Sequence, residues 1–443
     1  MASPSRGAFA WLVAKDVREL LDARAWWVLV AAMGPLVGFA FIGAVRTYAE
    51  LSGFGGTSYG VGEAFSPLVG IWAPTFSACE LAAAFLLPFV AIRLLAGDVQ
   101  SGALALELQR PLPIWWRVAS KTLVLALGWI VASVPTLIAV TLWISYGGAV
   151  HVPELLVVAF GHLVNAALTL ALASAAAAAT DHPATAAIAT LAVTVGTWIL
   201  NLVAAVQGGV WEWAAGYTPT AMVAEFQHGL LRADAVAAAG VLVAAGLAVS
   251  GVWSRLGRPV ARKLAASGVI AVAAVLLLAL CGRLTASVDL AENRMNSFRR
   301  GDEAALAAIT APIAIEVHLA AEDPRRLDLD RRVIGKLRRV VPAMRVSYVA
   351  ETATGLMEQT REHYGEIHYD VGGRRVVSRS TTPEGALEAI YDAAGVEAPP
   401  ESDADIFRGH PLAVPPTGAA LTFYGVWPAA IAIAAFVRLR RTA

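Results

Sequence analysis

Eight runs of about 20 apolar residues constrain this 443-residue chain more than any other feature. With no water in the bilayer core, every backbone N–H and C=O must be bonded inside the crossing segment, and an α-helix does this. The runs fall near 26–46, 72–96, 119–146, 153–179, 184–207, 233–254, 263–283 and 419–437. They explain a chain that is 57% hydrophobic and 15% charged, where a soluble domain holds about 45–50% and about 25%. No water-soluble core could bury that excess. A disordered chain and a nucleic-acid binder relying on bulk charge are excluded, and an ordinary cytosolic enzyme is disfavoured. The expected fold is a polytopic α-helical membrane protein of about eight transmembrane helices.

Net charge is zero, 34 basic against 34 acidic residues, but the charges are segregated. Residues 284–419 hold 16 Lys/Arg and 21 Asp/Glu, so the main domain boundary lies at the end of the seventh span. Elsewhere one set of loops and span ends carries Arg6, Lys15, Arg18, Arg24, Arg93, Arg110, Arg117, Lys121, Arg255, Arg258, Arg262, Lys263, Arg438, Arg440 and Arg441. The short loops of the opposite set hold Arg46 and Arg232, with Arg283 at the end of span seven. Lys and Arg accumulate on the cytoplasmic side of a membrane. Both termini are therefore expected in the cytoplasm and residues 284–418 outside it, in a cell (inner) membrane protein. The first apolar run is as long as a span and has no cleavage site before a mature start, so a cleaved leader is not expected. Cys79 and Cys281 lie inside apolar runs and read as buried thiols.

Before span one, Phe9, Leu12, Val13, Val17, Leu20 and Leu21 recur at helical spacing with Lys15, Asp16, Arg18, Glu19, Asp22 and Arg24 between them. Residues 1–25 are expected to form an amphipathic helix in the cytoplasmic interface. After span two, residues 98–117 contain Asp98, Ser101, Gly102, Leu104, Leu106, Leu108 and Pro111. Leu104 and Leu108 share a helix face and Leu106 points elsewhere, so one side can meet the interface and the other a cytoplasmic partner. This order resembles the type 2 ABC transporter permeases (ABC-2 type), in which an acidic residue, Ser-Gly and a Leu-rich short helix ending in Pro dock on the ATPase. Residues Tyr217–Asp234, with Thr218-Pro219, Phe226, Gly229 and Asp234, are similar to the external Ser-Pro, Phe, Gly, Asp segment of the gliding-motility and nitrous-oxide-reductase-maturation permeases. Thr218 stands where that family usually has Ser.

Residues 284–398 read as a small α/β domain between helices seven and eight. A strand at 312–319, a helix starting at Asp323-Pro324, a strand at 344–350, a weaker helix at 354–363, a hairpin at 366–379 turning on Gly372-Gly373 and a helix capped by Thr382 give a thioredoxin-like order. It has no cysteine, which excludes thiol redox chemistry. His363, Tyr364, His368 and Tyr369 are expected to pack in the core or at the surface. The stretch Asp289–Phe298, followed by Ile313–Leu319, resembles the start of the gliding-motility-type auxiliary ABC component, here shortened and fused to the permease. Residues 399–418 are a proline-rich linker and 419–443 a last span with a basic tail.

No GxxxxGK(S/T) loop, HExxH or DxDxDG metal pattern occurs, and Gly56-Thr-Ser58-Tyr-Gly60 matches a nucleophile elbow only by letters, lacking a strand before it. Glu80, His162, Asn165 and Asn201, polar residues inside spans, are candidates for a pathway or for interhelical hydrogen bonds. Trp26, Trp27, Trp72, Trp211 and Trp213 are expected at the membrane interfaces. The resemblance implies a six-helix permease domain over 26–256, a seventh helix over 257–283, a second permease copy as partner, and a separate ATPase that carries ATP and Mg. No catalytic residue, metal or cofactor is expected on this chain, and the substrate is left open. The rival expectation is a non-transporting membrane scaffold whose outer domain binds an envelope partner.

Overall fold

The structure, a computed structural model, describes residues 6–53, 65–100, 102, 112–207, 209–255, 257–320, 323–341, 343–349, 363–400 and 407–441. The expected helix at 354–363 and the Gly56–Gly60 match lie outside these residues, apart from His363. Among the described residues, eight helical segments are long and apolar enough to cross a membrane: Arg24–Gly53, Leu68–Asp98, Ile114–Ser145, Val152–Ala179, Pro183–Ala204, Ala233–Trp253, Val260–Cys281 and Leu421–Arg440. Large apolar side chains such as Phe39, Leu137, Ile188, Leu202, Val269 and Ile433 stand exposed on them, as a lipid solvent requires and water would penalise. The chain is a membrane-embedded, mostly helical, polytopic protein.

It divides into two compact units, one of Met1–Trp198, Tyr217–Ala286 and Gly409–Ala443, the other of Ile199–Gly216 and Ser287–Arg408. In the first, helix α1 (Arg6–Asp22) precedes span one. Spans two and three are interrupted near Leu86 and at Ser133. Pro88 and Pro135 follow two residues later in each case, and proline removes a helical hydrogen bond. The helix ending span two continues to Gln100 and span three begins at Ile114 after Pro113, so residues 98–100 and 114–117 of the expected 98–117 segment belong to the helices of those two spans. Trp26 and Trp72 are not interfacial anchors. Both are buried in the bundle, Trp72 edge-on to Trp143, whereas Trp211 and Trp213 are exposed.

Span eight docks on span one through a notch of two glycines one helical turn apart. A Cβ at Gly34 would meet Trp427 at 2.2 Å, and one at Gly38 would meet Phe423 at 2.4 Å. Small residues four apart let helices approach in lipid, where packing rather than water drives association. Trp427 Nε1 also donates to the Val30 carbonyl at 2.8 Å, and Arg438 Nε reaches Asp22 at 3.0 Å. At the other end of span one, the Tyr48 hydroxyl lies 2.5 Å from the Phe65 carbonyl and 2.8 Å from that of His410.

The second unit contains strands β1 (Ile313–Val317), β2 (Arg345–Tyr348), β3 (Ile367–Val371) and β4 (Arg374–Ser378) in the order β2-β1-β3-β4. β1 and β2 are parallel and the other pairs antiparallel. Gly372 and Gly373 take the positive φ values, 60° and 90°, that the tight β3–β4 turn demands. Residues 324–340 cross over between β1 and β2, with Asp323 accepting from the Arg325 backbone N–H as N-cap. Thr382 caps the helix Pro383–Ala394. Ile313, Ile315 and Val317 alternate with Ile367, Tyr369 and Val371 on one sheet face, against Val333, Leu337, Leu387 and Ile390. Before the sheet, both Asp289 oxygens take hydrogen bonds, from Ala291 and Asn296, and the turn they form delivers Phe298 to this core.

Gly38→Leu should lower stability in detergent by about 1–3 kcal/mol, the usual cost of overpacking, because Phe423 has to leave its seat. Gly43→Leu, where a Cβ meets nothing within 4 Å, serves as the neutral control. Thermal unfolding of both variants checks the difference.

Candidate functional site

Three helices meet at a buried ionic cluster. Along α1, Leu12, Asp16 and Leu20 form one buried line at i, i+4 and i+8, so a carboxylate sits on the apolar face of this helix. The end of span two brings Asp98 and the start of span three brings Ser120 and Lys121, all three buried. Lys121 Nζ lies 2.8 Å from Asp98, 3.4 Å from Asp16 and 3.5 Å from Glu19, and donates to the Leu94 carbonyl at 2.9 Å. Lys15 Nζ contacts both Asp98 oxygens at 3.0 and 3.2 Å, and Ser120 Oγ donates to Asp16 at 2.5 Å.

Two ammoniums thus share three carboxylates, with Arg117 buried one turn before Lys121 on the same helix. Burial raises the Glu19 carboxyl above its usual range, and Lys121 is the largest influence pulling it back. Gly97 allows the close approach, since a Cβ there would come within 3.3 Å of Glu19 Oε1. Desolvating charges is expensive, so the cluster persists only because its partners are fixed and hydrogen-bonded. It brackets the expected ATPase-contacting segment, which leaves through Asp98 and returns through Lys121.

Of that segment's residues, Asp98 lies in the cluster and Gly102 is exposed with a positive φ of 73°. Ser101, Leu104, Leu106, Leu108 and Pro111 lie outside the described residues. An open groove of about 610 Å³ lies between the start of span one, the second half of span two and the start of span five. Asp22, Arg24, Phe89, Ile92, Arg93 and Ala187 line it.

The segment after span five forms helix α2 (Pro219–Gln227), with Thr218 as N-cap accepting from the Ala221 backbone N–H. Thr218 therefore supplies the N-cap of this helix. Phe226 fills a notch at Gly161 of span four, Gly229 takes a φ of 76°, and Asp234 pairs with Arg232 at 2.6 Å. His162 is buried against the Phe76 ring, and Gln227 Nε2 lies 3.4 Å from its Nε2. Asn165 is buried on the same helix, Glu80 is half-buried on the helix carrying Phe76, and Asn201 belongs to the other compact unit. The structure thus joins His162 to Gln227.

The sequence pattern places Lys15, Asp16 and Glu19 on an interfacial helix and Lys121 in the basic rim, and does not single out Ser120. Asp16 interrupting an apolar i, i+4, i+8 row was the available clue. Comparison with known protein families, curated proteins and solved structures finds no match to this chain.

Lys121→Met should cost about 3–5 kcal/mol, as loss of one member of a buried ion pair does. Lys15→Met should cost less, because that side chain is 26% exposed. Unfolding in detergent distinguishes them, and equal losses would contradict the asymmetry.

Proposed function

We propose that this chain is the membrane-spanning permease subunit of an ABC-type exporter, driven by a separate ATPase chain and working with a second permease copy. The observation that carries the reading is the ionic cluster at Lys15, Asp16, Glu19, Asp98 and Lys121, which ties both flanks of the 101–111 segment to α1. A segment that transmits force needs stiff attachments. Buried, hydrogen-bonded ion pairs provide them better than exposed ones, which contribute little. Together with the resemblance of residues 98–117 and 217–234, this favours a docking element for a cytoplasmic ATPase.

ATP-driven closure of the ATPases would then push on residues 101–111. The cluster would pass the push to α1 and to spans two and three. The groove between spans one, two and five is the space such a movement would open or shut. In this reading both termini are cytoplasmic, the membrane is the cell membrane, and residues 284–418 form an outer domain of thioredoxin-like strand order that gates the exit or receives cargo. ATP hydrolysis belongs to the partner.

Affinity purification of the full chain from detergent is expected to bring down a chain containing GxxxxGK(S/T), identified by mass spectrometry. Asp98→Asn and Leu104→Ala are expected to lower the ATPase activity that the complex stimulates while the complex still assembles. If no such chain associates, or both variants keep full coupling, the spans serve only as an anchor and the scaffold reading replaces this one.

A further inference from the structure

Three of the chain's eight histidines come together on one face of the four-stranded sheet. Alternation places Glu316 and His318 on the face of β1 opposite its apolar row, and Glu366 and His368 likewise on β3. The antiparallel register sets Glu316 opposite His368, and the ladder continues beyond the strand, where the His318 N–H donates to the Glu366 carbonyl at 3.0 Å. Cross-strand neighbours sit about 4.5–5.5 Å apart at Cβ, so two Glu-X-His repeats form a checkerboard of carboxylates and imidazoles. His363 joins from the preceding turn, at a φ of 82° that a residue with a Cβ rarely adopts.

Glu366 is the hinge of this arrangement. Its Oε2 lies 2.9 Å from His363 Nδ1 and 3.2 Å from His368 Nε2, while Arg379 donates to its Oε1 at 3.0 Å. The Arg379 contact leaves one oxygen free to face the two imidazoles. Beside them, His318 Nε2 is buried without a hydrogen bond, 3.4 Å from Glu316 Oε1, its ring 4.5 Å from that of His368.

We propose that His363 Nδ1, Glu366 Oε2 and His368 Nε2 bind one divalent transition-metal ion of the zinc class, with the fourth position taken by water. One donor atom from each of the three residues lies within 4.8 Å of the other two. Bonds of about 2.0–2.1 Å in a tetrahedral site need donors about 3.4 Å apart, so modest side-chain movement closes the set. Imidazole donors favour zinc, copper and nickel over calcium and magnesium, which take oxygen. Arg379 supplies the outer contact that orients a ligating carboxylate. His363, its side chain 61% exposed, is the route of entry. Binding requires His368 to carry its proton on Nδ1, which gives up the 3.5 Å contact from Arg375 Nη1. That guanidinium keeps Glu316, its Nη2 at 3.1 Å. Three protein donors and one open position describe an exchangeable ion rather than a closed structural one.

Glu316, His318 and His368 form a second compact set that shares His368. One neutral imidazole serves one ion, so the two sets compete. Untagged full-length protein in detergent, stripped with chelator, should bind one equivalent of Zn²⁺ in equilibrium dialysis. Co²⁺ should give the visible absorption bands of nitrogen and oxygen coordination. Glu366→Gln should weaken Zn²⁺ binding by more than the roughly 10- to 100-fold that loss of an outer contact costs. His363→Ala, at an exposed turn, should do the same without disturbing the fold measured by circular dichroism. A His182→Ala/His228→Ala control should bind normally. Saturable binding that is unchanged in both His363→Ala and Glu366→Gln, or absent in the wild type, overturns the proposal. So does binding that survives Glu366→Gln and is lost in Glu316→Gln.

Discussion

One lysine ammonium removed from water, that of Lys121 in a helical membrane bundle, is the constraint on which much of the first unit depends. Lys121 makes contacts to Asp98, Asp16, Glu19 and the Leu94 carbonyl, enough to occupy all three of its donors. Such a charge tolerates no loose partner, because an unpaired buried ion costs several kcal/mol. Helix α1 therefore does not merely lie along a membrane surface. Its Asp16 is committed inward to Ser120 and Lys121, and its Lys15 to Asp98, so α1, span two and span three share one set of contacts.

How much of this was legible follows from the range of each signal. The eight spans were legible because length and hydropathy are properties of one continuous segment, and lipid demands both. Caps were legible for the same reason: Thr218-Pro219, Asp323-Pro324 and Thr382-Pro383 each begin a helix as their local chemistry prescribes. The cluster was not legible. Lys121 belongs to the basic rim that sets orientation, and nothing local to it distinguishes a solvated lysine from one enclosed by residues 16 and 98. Trp26 and Trp72 escape a sequence pattern for the same reason, since tryptophan near a span end fits a lipid interface and a packed core equally well.

The four-stranded sheet shows where pattern reading stops. Period-two alternation located β1 and the β3–β4 hairpin to within a few residues, and Gly372-Gly373 fixed the turn. Alternation also states that Glu316 and His318 share a face, as do Glu366 and His368. It does not state that β1 pairs with β3, and that pairing converts four unremarkable polar residues, about 50 positions apart in the chain, into neighbours. Taken singly, each histidine reads as surface or core packing. The Glu-X-His repeat on two strands was the one clue present, and it acquires meaning only with a register.

Burial across the spans is uneven, and the pattern bears on which parts can move together. Spans one to four have about half of their most apolar stretches buried, whereas span eight has 6%. An apolar helix needs no protein around it in lipid, so low burial alone identifies no interface. Specific contacts are more informative. Span eight is held to span one by Phe423 and Trp427 in the two-glycine notch, and to α1 by Arg438 on Asp22. The residue before that span's approach, His410, is bonded to Phe65 and Tyr48 beside the other end of span one. Span one is thus fixed to span eight at Val30, Gly34 and Gly38 and to the segment before span eight at Tyr48, and α1 is fixed to spans two and three through the cluster. A displacement of α1 that left span one in place would break the Asp22 contact to Arg438 and tear the short link at Ala23. The physically cheaper motion carries spans one and eight with α1 as one body.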